Sequence, residues 1–566
     1  MIIERDLPIA MDDGLQLRAD VYRPDGVGPV PVIMTMGPYG KGVRYQDHHY
    51  KPSWDWMMSR HPDLLPVSQR RWLTWETVDP ETWVGWGYAV VRVDSRGAGR
   101  SPGFLDILSE RETLDYYHAI EWAGVQLWSS GKVGLNGISY YAINQWHVAA
   151  LQPPHLAAMI PWEGAADTYR DFFRHGGILS NKFLENWYPR QVLSVQHGNP
   201  DAPPDIWLNE SSSGPEELSK EQLASNRLAT LANVRARELE DEWYRGRSPD
   251  WSKVVTPFLS AANWAGYGLH PRGNFSAFTN AASEHKWLEA HPGRHEEWFY
   301  LEYGINLQKR FFDFFLKGER NGWDGEPRVW LQVRRPFTET VELRKEEAWP
   351  LAATEWTKLY LDAGDRSLSW GPPAAKGRTS FVATVDHLKW TSPPLESETE
   401  LTGPLSLKLF LSSSTVDADL FVTLQAFAPD GREVEFLGTV DPHTPLAQGW
   451  LRASHRKLCA ERSTPYQPYH THDEKQPLIP GQIYELDVEI WPTCIVLPEG
   501  YRIALDIRGS DFARETGDAG SPHRGSGPWL HDDVFDRPAV VFQGTTTLHT
   551  GLQNQSYLLL PVVPNR

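Results

Sequence analysis

The sequence predicts an α/β domain that is interrupted by a helical insertion and followed by an all-β domain. Apolar runs suited to buried strands alternate with helical patterns over residues 1–163 and again over 251–327, which is typical of a mostly parallel sheet. Residues 164–250 carry tryptophan, proline and charged helical stretches without a strand pattern, so we expect a helical cap. From residue 328 onward, short alternating segments between turn-rich linkers predict an antiparallel β-sandwich.

The elements of the α/β part are predicted in chain order. Residues 1–30 alternate with period 2, which indicates an antiparallel hairpin. Apolar runs that suit buried strands follow, and they are Val30–Met36, Tyr88–Asp94, Lys132–Asn136, Leu156–Glu163, Val254–Ala262 and Lys286–His291. Helical patterns are found over 110–124, Ala142–Ala150 and Leu307–Lys317.

Composition limits the class of protein. The chain has 566 residues, which suggests two or three domains, and its net charge of -18 argues against nucleic-acid and anionic-membrane partners. Two cysteines, Cys459 and Cys494, are too few for a disulfide framework and fit a reducing compartment. The N-terminus does not show the pattern of a signal peptide, and no apolar run in the sequence approaches the length of a membrane span. We therefore expect a cytoplasmic location.

A strand that runs into Gly137-Ile138-Ser139 and then directly into a helical pattern predicts a nucleophile elbow. Such a turn presents the Ser139 hydroxyl at the N-terminus of a helix, where backbone amides favour a developing oxyanion. A bare Gly-x-Ser is most often an ordinary turn. The strand before it and the helix after it favour the nucleophile.

In an α/β-hydrolase the catalytic residues follow the order serine, acid, histidine along the chain. His295 follows the last predicted strand of the α/β part, so we expect it to be the base. Three rival histidines lie earlier or inside helix or strand patterns, and they are His270, His285 and His291. For the oxyanion hole we expect the backbone N–H of Tyr140 and the hydroxyl of Tyr39. The alternative for Tyr39 is an aromatic residue that only packs within its loop.

Four motifs carry a family resemblance: Gly37-Pro38-Tyr39, the turn from Asp94 to Ser101, the elbow from Gly137 to Tyr141, and the run from Phe311 to Gly318. With them the sequence resembles the CocE/NonD hydrolases, which are related to X-Pro dipeptidyl-peptidases and α-amino acid ester hydrolases. The resemblance implies an α/β-hydrolase domain with an inserted helical cap and a C-terminal jelly roll. It assigns Ser139 as nucleophile, His295 as base, and Tyr39 with Tyr140 as the oxyanion hole.

The sequence departs from this family at two positions. Ala142 stands where the family elbow usually has glycine, and Gly266 stands where the family has its catalytic aspartate. Glu163 is our candidate for the missing acid, because it ends the strand after the elbow helix and so faces the same site. The alternatives for Glu163 are a cap hinge or a buried ion pair. Asp167 is the second candidate, and more readily a helix-capping residue.

For the other polar and aromatic clusters we expect structural roles. His470, His472 and Asp473 lie in a Pro- and Tyr-rich segment without a further ligand pair, so we expect a solvated loop rather than a metal site. Tryptophans at positions 54, 56, 72 and 75 are more often packing than ligand stacking, although they could wall a pocket. No metal or cofactor is expected.

The sequence predicts a serine hydrolase that cleaves an ester or amide of a small acyl substrate through an acyl-enzyme. An X-Pro dipeptidyl-peptidase or an α-amino acyl hydrolase or acyltransferase stays open, as does a homo-oligomer. A binding protein that uses its jelly roll and has lost activity is the alternative outside enzymes. The missing aspartate at Gly266 is the best argument for that alternative.

Overall fold

In the computed structural model, which describes residues 1–26, 28–513 and 529–564, ten strands form the central sheet of the first domain. In chain order they are β1 (Ile2–Ala10), β2 (Gln16–Arg23), β3 (Val30–Gly37), β4 (Ala89–Asp94), β5 (Ser129–Ile138), β6 (Leu156–Trp162), β7 (Phe258–Asn263), β8 (Lys286–His291), β9 (Val329–Val333) and β10 (Glu342–Glu346). Their spatial order is β1-β2-β4-β3-β5-β6-β7-β8-β9-β10. The predicted N-terminal hairpin and the parallel strands after it are confirmed.

The sheet extends further along the chain than the sequence pattern indicates. Strand β9 pairs in parallel with β8, and β10 returns antiparallel to β9, although both lie beyond residue 328. Every residue of β9 is buried, as expected for a strand inside this sheet. The alternation of β10 resembles that of the all-β strands, so the sequence alone does not separate them.

Helices lie in the connections between the strands of this sheet. The α-helices of the described residues are α1 (Lys51–Arg60), α2 (Pro80–Gly85), α3 (Glu110–Gly124), α4 (Tyr140–Ala149), α5 (Asn181–Trp187), α6 (Lys220–Ser225), α7 (Thr230–Ala236), α8 (Glu242–Arg245), α9 (Pro271–Asn280), α10 (Glu297–Tyr300), α11 (Glu302–Phe312) and α12 (Ala539–Phe542). Helix α3 begins where the Ser109 hydroxyl accepts a hydrogen bond from the N–H of Glu112 at 3.2 Å. The long helices α3 and α4 pack directly on the elbow strand β5.

Residues 164–250 contain short helices together with two small strand pairs that the sequence did not indicate. Helices α5 to α8 lie here, with π-helical turns over Thr168–Phe173 and Tyr188–Val192. The strand pairs join Arg174–His175 to Ile178–Leu179 and Pro204–Asp205 to Glu210–Ser211. Pairs of two residues are too short to give a period-2 pattern, so they escape detection in the sequence.

Eleven strands within the described residues form the C-terminal all-β domain. They are β11 (Glu355–Leu361), β12 (Leu368–Ser369), β13 (Gly377–Val382), β14 (His387–Thr391), β15 (Thr399–Ser413), β16 (Asp419–Phe427), β17 (Ala447–Arg452), β18 (Tyr484–Leu497), β19 (Arg502–Arg508), β20 (Thr545–Thr550) and β21 (Tyr557–Val563). The main path runs β12-β11-β21-β15-β18-β17-β16-β19-β14, and β20 joins β13 to β15. The all-β prediction is confirmed, and the jelly-roll order stays a prediction.

A buried ion-pair network ties the insertion to the all-β domain. Asp536 contacts Arg174 of the insertion at 2.6 Å and Arg452 at 2.9 Å, and Arg452 also pairs with Asp419 at 2.8 Å. All four side chains are at most 2 % exposed. Removing one member of such a network leaves an unpaired buried charge, which is strongly destabilising.

The cysteines and the helices bear on what the sequence led us to expect about disulfides and membrane spans. Cys459 and Cys494 are both free thiols, the first half-buried and the second buried. Among the described residues, every helix is too short or too polar to cross a bilayer.

The histidines that we expected in a solvated loop are buried between the insertion and the all-β domain. His470 and His472 are 5 % and 2 % exposed, while Asp473 is exposed, so the loop prediction was wrong for the two rings. His472 contacts the ring of His455 at 3.0 Å between Nδ1 atoms, and Nε2 of His470 has no hydrogen-bond partner in the described chain. The rings pack there because the insertion covers them, which the local sequence does not show.

Acidification is expected to destabilise this interface. Burial, together with the charge of Arg170, lowers the pKa of His470 to about 3, whereas the same ring in the unfolded chain titrates near about 6.5. Below about pH 6.5 the unfolded state therefore binds more protons, and the free energy of unfolding falls, by on the order of 2 kcal/mol for this ring at about pH 5. Urea unfolding of the native chain and of His470→Gln, each at about pH 5 and at a pH above about 6.5, measures the effect. An equally steep loss in His470→Gln would contradict it.

Candidate active site

Ser139 lies at a strained turn between β5 and α4. Its φ of 58° and ψ of -113° place a non-glycine residue in a conformation that is rarely populated. Neighbouring backbone groups hold it there, because its N–H donates to the carbonyl of Trp162 at 3.0 Å and its carbonyl accepts from the N–H of Ile143 at 2.8 Å. This is the geometry of a nucleophile elbow.

Small residues around the turn let the strand and the helix approach each other. A Cβ on Gly137 would lie 2.5 Å from Cβ of Tyr141, so only glycine fits at that position. A Cβ on Gly164 would lie 2.9 Å from Cβ of Ala142. Gly164 therefore provides the space that Ala142 takes at the position where the family elbow usually has glycine.

His270 is the histidine that contacts the serine. Its Nε2 lies 3.1 Å from Oγ of Ser139, with both side chains buried. This corrects the sequence interpretation, which set His270 aside in favour of His295. The physical reason is the turn after β7, in which the N–H of His270 donates to the carbonyl of Gly266 and brings the ring over the elbow at the start of α9. In the sequence, Pro271 at the first helical position was the available signal for a helix start at His270.

His295 lies beside His270 and between two carboxylates. Its Nδ1 lies 2.7 Å from Oε2 of Glu163, and its Nε2 lies 2.8 Å from Oε1 of Glu76. The rings of His270 and His295 stack with their centroids 4.9 Å apart and their planes at 13°. Glu76 was not predicted, because it lies in the irregular segment before α2 and carries no motif. The neighbouring Trp75 packs against His295 at 6.2 Å between ring centroids, so it does line the site.

Glu163 is the centre of this cluster and is fully buried. The expected contact with His295 is present, and Oε1 of Glu163 also accepts from Nδ2 of Asn263 at 3.0 Å and faces Nε2 of His291 at 3.3 Å. The φ of Glu163 is 51°, so its backbone is also strained. Asp167, the second candidate, caps the following turn by accepting from the N–H of Arg170 at 2.9 Å.

Burial and mutual charge set the protonation of the cluster. Burial opposes ionisation of Glu163, but the charge of His295 and hydrogen bonds from His291 and His295 hold its pKa at about 2. Burial likewise opposes a charge on His295, but Glu163 and Glu76 raise the pKa of His295 to about 10. Burial, with the charge of His295, lowers the pKa of His270 to about 3. His295 is therefore an imidazolium and His270 a neutral ring.

Glu76 differs from Glu163 in its electrostatic surroundings. Burial raises the pKa of Glu76 to about 7, against the hydrogen bond and the charge of His295. Its Oε2 is buried without a hydrogen-bond partner among the described residues. The Glu76 side chain therefore contributes a second carboxylate whose charge responds to pH near neutrality.

The two predicted oxyanion donors lie on the elements that an α/β-hydrolase uses for this purpose. Tyr140 is the first residue of α4, where a backbone N–H has no acceptor within the helix. Tyr39 follows β3, and its hydroxyl accepts a hydrogen bond of 3.0 Å from Nε1 of Trp187 in the insertion. Because the indole N–H only donates, the Tyr39 O–H remains available as a donor. Burial raises the pKa of Tyr39 well above its usual value, which keeps that proton in place.

The all-β domain also reaches the site. The carbonyl of Thr439 accepts from the N–H of His295 at 3.3 Å, and the Thr439 hydroxyl lies 3.5 Å from Oε2 of Glu163. The ring of Trp529 lies edge-on to His270 at 6.5 Å between centroids. All three parts of the chain thus contribute to the surroundings of Ser139.

Comparisons with known proteins assign this chain to a family. Residues 13–297 match the family model of the X-Pro dipeptidyl-peptidases of family S15, and residues 321–559 match the model of their C-terminal non-catalytic domain. A crystal structure of a CocE/NonD family hydrolase from Staphylococcus aureus is 32 % identical, with a TM-score of 0.84 over 100 % of this chain and 94 % of that chain. The chain belongs to the CocE/NonD family of hydrolases.

Further relatives of this CocE/NonD hydrolase are more distant in sequence. A cocaine esterase from Rhodococcus is 24 % identical and covers 99 % of this chain and 98 % of its own length. A putative serine esterase from Mycobacterium bovis is 24 % identical over 89 % of this chain and 90 % of the relative. An α-amino acid ester hydrolase structure, 17 % identical with a TM-score of 0.69 over 99 % and 96 % of the two chains, shares the fold.

The close approach at the elbow gives a testable prediction. In Gly164→Ala the new Cβ would lie 2.9 Å from Cβ of Ala142, so we expect a loss of about 1–3 kcal/mol in the free energy of unfolding. In an Ala142→Gly background the main clash is absent, and the same substitution should cost less. Urea unfolding of the native chain, both single variants and the double variant measures this coupling. Additive losses would contradict the proposed packing.

Proposed function

We propose that this protein hydrolyses an ester or amide by acyl-enzyme chemistry, with Ser139 as the nucleophile and His270 as its general base. The observation that carries the proposal is the 3.1 Å contact between Oγ of Ser139 and Nε2 of His270 at a strained elbow. His270 is neutral, so Nε2 can accept the serine proton as Oγ attacks the substrate carbonyl. It then donates that proton to the leaving group, and water deacylates Ser139 by the reverse steps.

Charge balance supports this role for His270. When both carboxylates are ionised, Glu163 and Glu76 carry two negative charges, and the imidazolium of His295 supplies one positive charge. A proton that arrives on His270 makes the cluster neutral. Oε2 of Glu163 lies 3.7 Å from Nδ1 of His270 and is the nearest counter-charge. Glu163 therefore takes the place of the triad acid, and Glu76 offsets the charge of His295.

The oxyanion is stabilised by two donors in this proposal. The N–H of Tyr140 at the start of α4 and the O–H of Tyr39 would both donate to the tetrahedral intermediate. The side chain of Tyr140 is engaged elsewhere, because its hydroxyl donates to Glu112 at 2.6 Å and accepts from the N–H of Leu108 at 2.9 Å. Only its backbone is assigned to catalysis.

An ester of a small acyl group is the favoured substrate class, because relatives that cover nearly the whole chain are named as esterases. An X-Pro dipeptidyl-peptidase activity is the second candidate, and the S15 family match favours it. A panel of p-nitrophenyl esters of increasing chain length, run beside Xaa-Pro p-nitroanilides, separates the two. The insertion acts as a cap in this proposal, and the all-β domain, a jelly roll, walls the pocket. Free thiols at Cys459 and Cys494 support a cytoplasmic location.

Labelling by a fluorophosphonate probe tests the nucleophile. We expect the probe to label the native chain and not Ser139→Ala.

Separate substitutions of His270 and His295 test which of the two rings is the base. We expect kcat to fall by about 10²- to 10⁴-fold in His270→Asn, because general-base assistance is lost. His295→Asn keeps a hydrogen-bonding side chain near Glu163 and should lose less. A larger loss in His295→Asn than in His270→Asn would return the role of base to His295.

Removal of the Tyr39 hydroxyl tests the oxyanion hole. Tyr39→Phe keeps the ring packing and deletes one donor, so we expect kcat to fall by about 10²- to 10³-fold with little change in KM. Tyr45→Phe is the matched control, since the Tyr45 hydroxyl contacts Glu296 at 3.0 Å instead. Equal effects of the two substitutions would exclude an oxyanion role for Tyr39.

A further inference from the structure

Two imidazoles and one carboxylate converge behind the serine in an arrangement that the hydrolytic reaction does not require. One ligand atom each of Glu163, His270 and His295 lies within 4.8 Å of the others. A serine hydrolase needs one histidine and one acid. The second ring completes a set of two histidines and one carboxylate, which is a known ligand set for Zn²⁺.

The free nitrogen of His270 points into this set. Its Nδ1 is buried without a hydrogen-bond partner in the described chain, and it lies 3.7 Å from Oε2 of Glu163. Nδ1 of His295 lies 2.7 Å from the same oxygen. The two ring planes are nearly parallel, at 13°, and both Nδ1 atoms lie within 3.7 Å of this one carboxylate oxygen. An orphaned buried nitrogen of this kind calls for a partner.

The geometry points to a binding site for a divalent transition-metal ion, represented by Zn²⁺, between Glu163, His270 and His295, and to inhibition of the serine when it is filled. Ligand atoms of a tetrahedral Zn²⁺ site lie about 3.3 Å apart for bonds of about 2.0–2.1 Å. The separations of 2.7 Å and 3.7 Å at Glu163 each differ from this value by about half an ångström, and the ligand atoms of all three residues lie within 4.8 Å of one another. The fourth position is left for water.

The residues around the three ligands match the surroundings of known zinc sites. Metal-bound histidines usually donate their second ring N–H to a carboxylate. Nε2 of His295 already contacts Glu76 at 2.8 Å in this way. The other oxygen of Glu163 is held by Nδ2 of Asn263 at 3.0 Å, which fixes the carboxylate.

Inhibition follows from the proton balance. Zn²⁺ replaces the proton on Nδ1 of His295, which is released to solvent, and it bonds to Nδ1 of His270. The remaining proton of the neutral His270 ring must then lie on Nε2, where it donates to Oγ of Ser139. A ring in that state cannot accept the serine proton. The inhibitory half of this inference rests on the proposed role of His270, whereas metal binding does not.

Calorimetry of the full chain with zinc chloride tests the site directly. We expect one Zn²⁺ per native chain, binding at least about tenfold weaker in Glu163→Gln and His295→Asn, and about 10- to 100-fold weaker in Glu76→Gln through the lost carboxylate partner. His197→Gln is the matched control, because the ring of His197 contacts Gly99 and Glu216 outside the cluster. The visible absorption of bound Co²⁺ reports ligand geometry in the same variants, and thermal unfolding shows that each is folded.

Turnover of a p-nitrophenyl ester by the native chain tests the inhibition. We expect activity to fall at least about tenfold in proportion to the zinc bound, and to return on addition of EDTA. Absent binding, or equal binding in the native chain and both ligand variants, would overturn the metal site. Site-specific binding with unchanged turnover would overturn the inhibition. Failure of the proposed function is distinguishable, since fluorophosphonate labelling of Ser139 would then be absent while the calorimetry is unaffected.

Discussion

The carboxylate of Glu163 is the interaction on which the rest of the site depends. It is fully buried and faces three imidazoles, His295 at 2.7 Å, His291 at 3.3 Å and His270 at 3.7 Å. A lone buried carboxylate would lose its charge, but here the positive charge and the hydrogen bonds keep its pKa at about 2. This fixed negative charge stabilises the close approach of the three rings to one another.

The charge of Glu163 also acts on His291 and, through that ring, is linked to Glu289. His291 lies between Glu163 and Glu289, with its Nδ1 2.6 Å from the Glu289 carboxylate, and its pKa is raised to about 9 against the effect of burial. Carboxylates and imidazoles thus alternate from the end of β8 through Glu163 to Glu76. Each member of this row contacts the next at 2.6–3.3 Å, and buried polar contacts linked in this way help to specify one arrangement. The strained φ of 51° at Glu163 is maintained by this surrounding network.

Particular residues show how far the sequence reaches. Ser139 and the parallel strands could be predicted because an elbow is a local pattern of strand, glycine and helix. Glu163 could be predicted because adjacent parallel strands end at one edge of a sheet. His270 and Glu76 could not, because their positions depend on the turn after β7 and on an irregular segment, whose paths are set by tertiary packing. The burial of His470 and His472 was missed for the same reason, since a distant insertion covers them.

The sheet explains how Glu163 can serve as the acid in the proposed function. Strands β6 and β7 are parallel neighbours, with Ala261 beside Trp162, and the N–H of Glu163 donates to the carbonyl of Ala261 at 2.7 Å. Neighbouring strands lie about 4.8 Å apart, so a side chain at the end of one reaches the space served by the end of the other. A carboxylate after β6 can therefore replace one after β7. In the turn after β7, the carbonyl of Gly266 accepts from the N–H of His270 at 3.3 Å, and this turn brings the His270 ring to the serine. In the proposed function, Glu163 thus keeps a carboxylate at this sheet edge, although Gly266 stands where the family resemblance implies an aspartate.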